Sequence, residues 1–177
     1  MEYEIIRTAR KTVAIQILPG GRVVVRCPRR MSGEAVRAFV ESKWPWVEKH
    51  LASLGPGLPA FSEAELDVLV RQAKQVIPGR VAYFAPLVGV SYGRITVRKQ
   101  RSRWGSCSGK GNLNFNCLLM LAPEDVLDYV VVHELCHRKH MNHSDKFWDE
   151  VERVLPDYRE HRAWLKHNGS TLVARLP

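Results

Sequence analysis

The sequence predicts an α+β fold in which a small antiparallel sheet packs on one unusually apolar helix bearing His133-Glu134-Leu135-Cys136-His137, behind an N-terminal β-hairpin and helix. Three observations predict it. Residues 2–8, 11–18 and 22–27 alternate apolar and polar with many β-branched residues, the period of half-buried strands. Leu54-Gly55-Pro56-Gly57-Leu58-Pro59-Ala60 concentrates helix and strand breakers at one place, dividing an annex over 1–55 from a core over 62–177 unless both form one continuous domain. Beyond it, two strand-like runs precede a helix too apolar to lie on a surface.

In chain order, Pro19-Gly20-Gly21 has turn composition and joins the second and third runs into a hairpin of a small antiparallel sheet. Ser32, followed by Glu34 and the apolar series Val36, Phe39, Val40, Trp44 and Val47, predicts a capped helix to about Leu51, kinked or divided at Pro45. Ser62 and Glu65 form a capping-box pattern at the head of a second helix, interrupted near Pro78 and resumed to about Leu87. Arg94–Gln100 and about Asn112–Leu119 read as the strands of a hairpin with a long glycine-containing loop. Pro123 at a first-turn position, with Glu124 and Asp125 complementing the helix dipole, opens the apolar helix through His140. Shorter helices follow over Ser144 to about Leu155 and Tyr158 to about His167, the last closed by Asn168-Gly169.

Composition narrows the class. At 177 residues, 45% of them hydrophobic, the chain can bury a core without disulfides. Cys27, Cys107, Cys117 and Cys136 form neither a Cys-x-x-Cys pair nor a dense framework, which points to reduced thiols and away from a cysteine-only zinc site. The first residues lack the basic and apolar segments of a secretory signal and no apolar run spans a bilayer, so the expected location is cytoplasmic, without membrane contact. A net charge of +9 suits contact with polyanions, nucleic acid included, although such an excess is often a solvated surface.

The chemistry-bearing motif is His133-Glu134-x-x-His137. On a helix the two histidines share a face about 6 Å apart along the axis, within reach of one metal ion. Glu134 stands beside the first of them, placed to take a proton from a water that zinc acidifies to a pKa of about 7. Burying two histidines and a glutamate in so apolar a helix without a shared partner would cost several kcal/mol, which argues against coincidence. A third protein ligand is expected among His140, His143, Asp149 and Glu150. His140 lies roughly 10 Å along the axis from His133, too far for easy convergence. His143, beyond the helix end, is favoured because the chain can fold back there; Glu150 on the next helix is the alternative.

Arg98, Lys99, Arg101 and Arg103, followed by Trp104, gather cations and an indole in one segment. Arg101, Arg103 and Trp104 are therefore candidate substrate contacts for phosphate or peptide carboxylate, against the alternative that Trp104 packs under the loop and the arginines face solvent. Cys136 is expected to be a small buried hydrophobe, Phe147 and Trp148 to be packing residues near the third ligand, and Tyr129 to line the site or serve as a structural hydroxyl.

Arg101-Ser-Arg-Trp-Gly-Ser-Cys-Ser108, Leu127-Asp-Tyr-Val-Val-Val-His-Glu-Leu-Cys-His137 and Asn142-His-Ser-x-x-Phe-Trp148 together resemble the YgjP-like metallohydrolase family over nearly the whole chain. The resemblance implies a zincin-like core related to SprT-like and WLM peptidases, with Zn2+ as cofactor and the histidine of Asn142-His143-Ser144 as third ligand. It also implies an edge strand able to pair with an extended peptide. Some relatives of this kind are pyrophosphatases acting on uridine triphosphate. Three functions therefore stand as expectations: a zinc metallopeptidase with Glu134 as general base, a nucleotide pyrophosphatase, or a basic DNA-associated protein whose metal site is secondary.

Overall fold

The structure, a computed structural model, describes residues 1–18, 21–53 and 59–177. Pro19-Gly20 of the expected hairpin turn and most of the breaker-rich stretch (54–58) lie outside the described residues. Two compact units emerge, Met1–Ala60 and Phe61–Pro177.

The first unit holds β1 (Glu4–Thr8), β2 (Ala14–Ile17), β3 (Val23–Pro28) and α1 (Gly33–Ser53). The sheet is mixed rather than antiparallel: β3 pairs antiparallel with β2 but parallel with β1, in the order β1-β3-β2. β3 buries Val23, Val24, Val25 and Cys27, and a strand covered on both faces belongs at the centre. β1 must then take the free edge, reached through β2. Val25 and Cys27 pack with Val36 and Val40 of α1. The Ser32 hydroxyl accepts from the Ala35 amide at 3.2 Å to open α1, which continues through Pro45 because Val36, Val40 and Val47 are buried on both sides of it.

The second unit begins with α2 (Glu63–Val88), whose capping box is complete: Ser62 accepts from the Glu65 amide, and the Glu65 carboxylate accepts from the Ser62 amide at 2.7 Å. The expected interruption at Pro78 does not occur. A proline inside a helix costs about 3 kcal/mol. Leu66, Leu69 and Ile77 before it and Val81, Phe84 and Val88 after it are buried on one continuous stripe, each worth about 1.5–3 kcal/mol. Burial wins, and the helix ends only at Gly89, in the left-handed region at φ 76°.

β4 (Ile95–Arg98), β5 (Gly105–Cys107) and β6 (Leu113–Asn116) repeat the arrangement of the first sheet. The expected β4–β6 hairpin is a parallel pair, and the intervening loop supplies β5, antiparallel to β6, giving the order β4-β6-β5. β6 is again the buried central strand, and residues 117–121 form a 3-10 turn rather than its continuation. Buried Asn116 fixes the loop: its Nδ2 donates to the carbonyls of Gln100 at 2.6 Å and Arg103 at 3.2 Å, and its Oδ1 accepts from the Leu118 amide.

α3 (Glu124–Cys136), α4 (Asp145–Val154) and α5 (Tyr158–Ala174) complete the unit. Pro123 occupies the N-cap of α3, which stops at Cys136 instead of His140. α5 runs through Asn168-Gly169, correcting the expected stop: Gly169 is buried against the Trp104 indole, and a Cβ there would sit 2.9 Å from Cζ2, so its role is close packing. Arg80 of α2 grips Asp128 of α3 through two nitrogens, Nε to Oδ1 at 2.6 Å and Nη2 to Oδ2. All four cysteines are free. Among the described residues no helix is long and apolar enough to cross a membrane.

Candidate metal centre

α3 is buried along almost its whole length, with Val126, Leu127, Val130, Val131, Val132, Leu135 and Cys136 in the core. Its last turn carries His133, Glu134 and His137, and because the helix stops there the chain turns back at once through Met141 and Asn142 to His143. One nitrogen each of His133, His137 and His143 lies within 4.8 Å of the others. Nε2 of His133 and Nε2 of His143 are 3.0 Å apart. The His137 Nδ1 donates to the His140 carbonyl at 3.0 Å, which leaves its Nε2 with a free lone pair, the arrangement by which a backbone carbonyl orients a ligating imidazole.

Phe147 of α4, fully buried, packs its ring 4.9, 4.6 and 4.9 Å from those of His133, His137 and His143. Trp148 stacks on His143 at 5.7 Å and Tyr129 meets the edge of His133 at 5.8 Å. These aromatic walls lower the local dielectric. Burial, helped by the neighbouring histidines and by Arg162, pushes His133 down to about 3, and burial also lowers His137. Both are thereby held neutral, the form that binds a metal.

Glu134 is 4% exposed, and its Oε2, like the His133 Nδ1, is buried with no hydrogen-bond partner among the described residues. Burial pushes its carboxyl up to about 8, with the charge of Arg103 pulling the other way. Three convergent imidazole nitrogens beside a buried carboxyl whose Oε2 has no partner among the described residues fit a divalent cation, and such orphaned polar atoms would otherwise be costly.

The cleft in front of the cluster, about 280 Å³, is lined by the three histidines, Glu134, Met141, Arg103 and all of β5. Gly105 approaches Glu134 so closely that a Cβ would fall 2.6 Å from Oε1. Gly105-Ser106, which reads from the sequence as a turn with exposed amides beside the basic segment, instead forms with Cys107 the cleft-lining strand β5, too short to show a readable period, and nothing local in the sequence marks Asn116.

Other expected site residues lie elsewhere. Arg101 donates to the backbone oxygens of Leu176, at 2.9 Å, and Pro177, so it secures the chain rather than the cleft. Trp104 packs on Gly169 and the core, the packing alternative considered for it. Lys99 is held by Glu63 at 2.8 Å and Asp67 at 3.0 Å. Glu150, the alternative third ligand, directs Oε1 to Lys139 at 2.8 Å and Arg153 at 2.6 Å and does not join the histidines. Of the basic segment only Arg103 borders the cleft.

The family model described as YgjP-like, metallopeptidase domain, matches residues 11–67 and 57–168. Among solved structures, the metallopeptidase zymogen abylysin of Pyrococcus abyssi is similar at 24% identity and a TM-score of 0.47, covering 51% of this chain and 94% of its own. The metallopeptidase zymogen jannalysin of Methanocaldococcus jannaschii is similar at 21% identity and a TM-score of 0.46, with the same coverage. No curated protein matches the chain.

Proposed function

The chain belongs to the YgjP-like family and is a metallohydrolase, and on that premise we propose that it is a zinc-dependent peptidase with a zincin-like core, its catalytic unit being residues 62–177 and residues 1–55 an N-terminal annex. His133, His137 and His143 are the ligands and Glu134 is the general base. The observation that carries this reading is one constellation: three imidazole nitrogens within 4.8 Å of one another, opening on the same cleft as the buried, unpaired carboxyl of Glu134. Zinc suits the donor set, since catalytic zinc takes three protein ligands with nitrogen prominent among them, whereas calcium and magnesium prefer oxygen.

Bound there, zinc supplies a Lewis acid for a carbonyl and a strongly acidified water. The rest falls to the chain. Glu134 accepts the proton of the attacking water at Oε2 and returns it to the leaving amine nitrogen, one carboxyl serving as base and then acid. Among the described residues β5 pairs with β6 alone, so its other edge offers main-chain donors and acceptors to an extended peptide, and Gly105 brings that backbone against Glu134. Arg103, at the cleft, is placed to contact the substrate.

The test is cleavage of a mixed pool of unstructured peptides by zinc-loaded protein, read by mass spectrometry beside Glu134→Gln. New peptide termini that appear with the wild type and not with the variant are expected. Uridine monophosphate formed from uridine triphosphate, with every peptide intact, would replace this reading with the pyrophosphatase one.

A further inference from the structure

A second cleft, of about 320 Å³, lies along α5 and is lined by Tyr158, Arg159, Arg162, Ala163 and Lys166. The spacing of 159, 162 and 166 puts three cations on one helical face. They are not equivalent. Arg159 is engaged by the Glu152 carboxylate at 2.6 and 3.3 Å. Arg162 and Lys166 are exposed, and among the described residues neither has a carboxylate partner. Arg162 is nonetheless held in place, its Cζ 4.6 Å from the ring centroid of Trp148, a contact that fixes the guanidinium plane while leaving N–H donors available.

Trp148 also borders the metal centre, its ring 5.8 Å from that of His133 and 5.7 Å from that of His143. Tyr158, which lines the second cleft, stacks on the same indole at 5.4 Å. One indole thus touches His133, His143 and Arg162. An extended peptide advances about 3.3 Å per residue, so Arg162 and His143, which touch the same indole at 4.6 and 5.7 Å, lie within about three residues of each other along a bound peptide, with Lys166 in the same cleft as Arg162.

We propose that the α5 cleft is an anion subsite on the substrate path and that it takes a peptide carboxylate, either an acidic side chain or the terminal α-carboxylate. The inference rests on the peptidase reading for the path, and its test reads binding alone so that the two can fail separately. Zinc-loaded, full-length Glu134→Gln protein is titrated with labelled peptides in which Asp replaces Asn at successive positions, each with a free and an amidated C-terminus, and affinity is followed by fluorescence anisotropy. At low salt one Asp position, or the free C-terminus, is expected to tighten binding about tenfold, an advantage that shrinks as salt screens exposed charges. Adding Arg162→Met and Lys166→Met should make all the peptides bind alike. Equal affinity across the series with the cations intact, undetectable binding included, overturns the proposal, as does a preference that survives in the double variant. Loss of peptide cleavage by the wild type, with charge preference retained, would remove the peptidase reading and leave the subsite.

Discussion

Gly105→Ala converts the contact between β5 and Glu134 into a measurable defect. The added Cβ would lie 2.6 Å from Oε1, 2.7 Å from Cγ and 2.8 Å from Cδ of Glu134. Unbonded carbons settle about 3.5–4.0 Å apart, so the carboxyl must retreat by about 1 Å. It is 4% exposed and has little room to do so without shifting the packed residues of α3. A misplacement of that size costs roughly 10²-fold in rate, and overpacking costs about 1–3 kcal/mol of stability. The assay is kcat/KM on a cleaved peptide beside zinc content and urea unfolding, with Gly109→Ala as control, because a Cβ at 109 meets nothing within 4 Å. We expect Gly105→Ala to keep its zinc and lose about a hundredfold in kcat/KM while Gly109→Ala stays near wild type. Turnover within a few-fold of wild type in zinc-loaded Gly105→Ala would mean that the Glu134 carboxyl keeps its working position despite the added methyl group.

Arg80→Met strands the Asp128 carboxylate, 6% exposed, inside the unit, and should cost about 3 kcal/mol in urea unfolding, while the double variant Arg80→Met/Asp128→Asn recovers most of it. An additive double variant would contradict this account of the pair. Gly169→Ala, which improves helix propensity by about 1 kcal/mol, is nonetheless expected to destabilise by about 1 kcal/mol net, because its Cβ meets the Trp104 ring at 2.9 Å; a raised Tm would show that the indole yields freely. Asn116→Ala releases the carbonyls of Gln100 and Arg103 that hold the loop before β5, and faster amide hydrogen exchange over residues 100–107 is expected, with unchanged exchange counting against that role.

What the sequence made legible were features whose signal is local. The His133/His137 spacing, the turn back to His143 and the Ser62/Glu65 capping box each depend on a few neighbouring residues; in the structure the capping box closes and one nitrogen each of His133, His137 and His143 lies within 4.8 Å of the others. Helix ends were misread where tertiary contacts overrule local preference: Pro78 is bridged by a continuous buried stripe, and Gly169 is a packing glycine that resembles a stop signal. Sheet connectivity was hidden because pairing partners are set by which strand is buried on both faces. β3 and β6 occupy the centres, and β5 is too short to show any alternation. Charge in the basic loop could not be assigned from composition either, since Arg101 serves backbone carbonyls and Lys99 serves two acids of α2, leaving Arg103 at the cleft.

Zinc held by His133, His137 and His143 can be read from metal content by mass spectrometry on wild type, His143→Ala and Glu150→Ala, each shown to be folded by circular dichroism. Glu150 is tied to Lys139 and Arg153 and His143 converges on His133, so near-stoichiometric zinc is expected in the wild type and in Glu150→Ala and is expected to be lost in His143→Ala. Zinc retained in folded His143→Ala, or lost in folded Glu150→Ala, would contradict the ligand set, and a wild type that takes up no zinc when supplied with it would contradict the account as a whole.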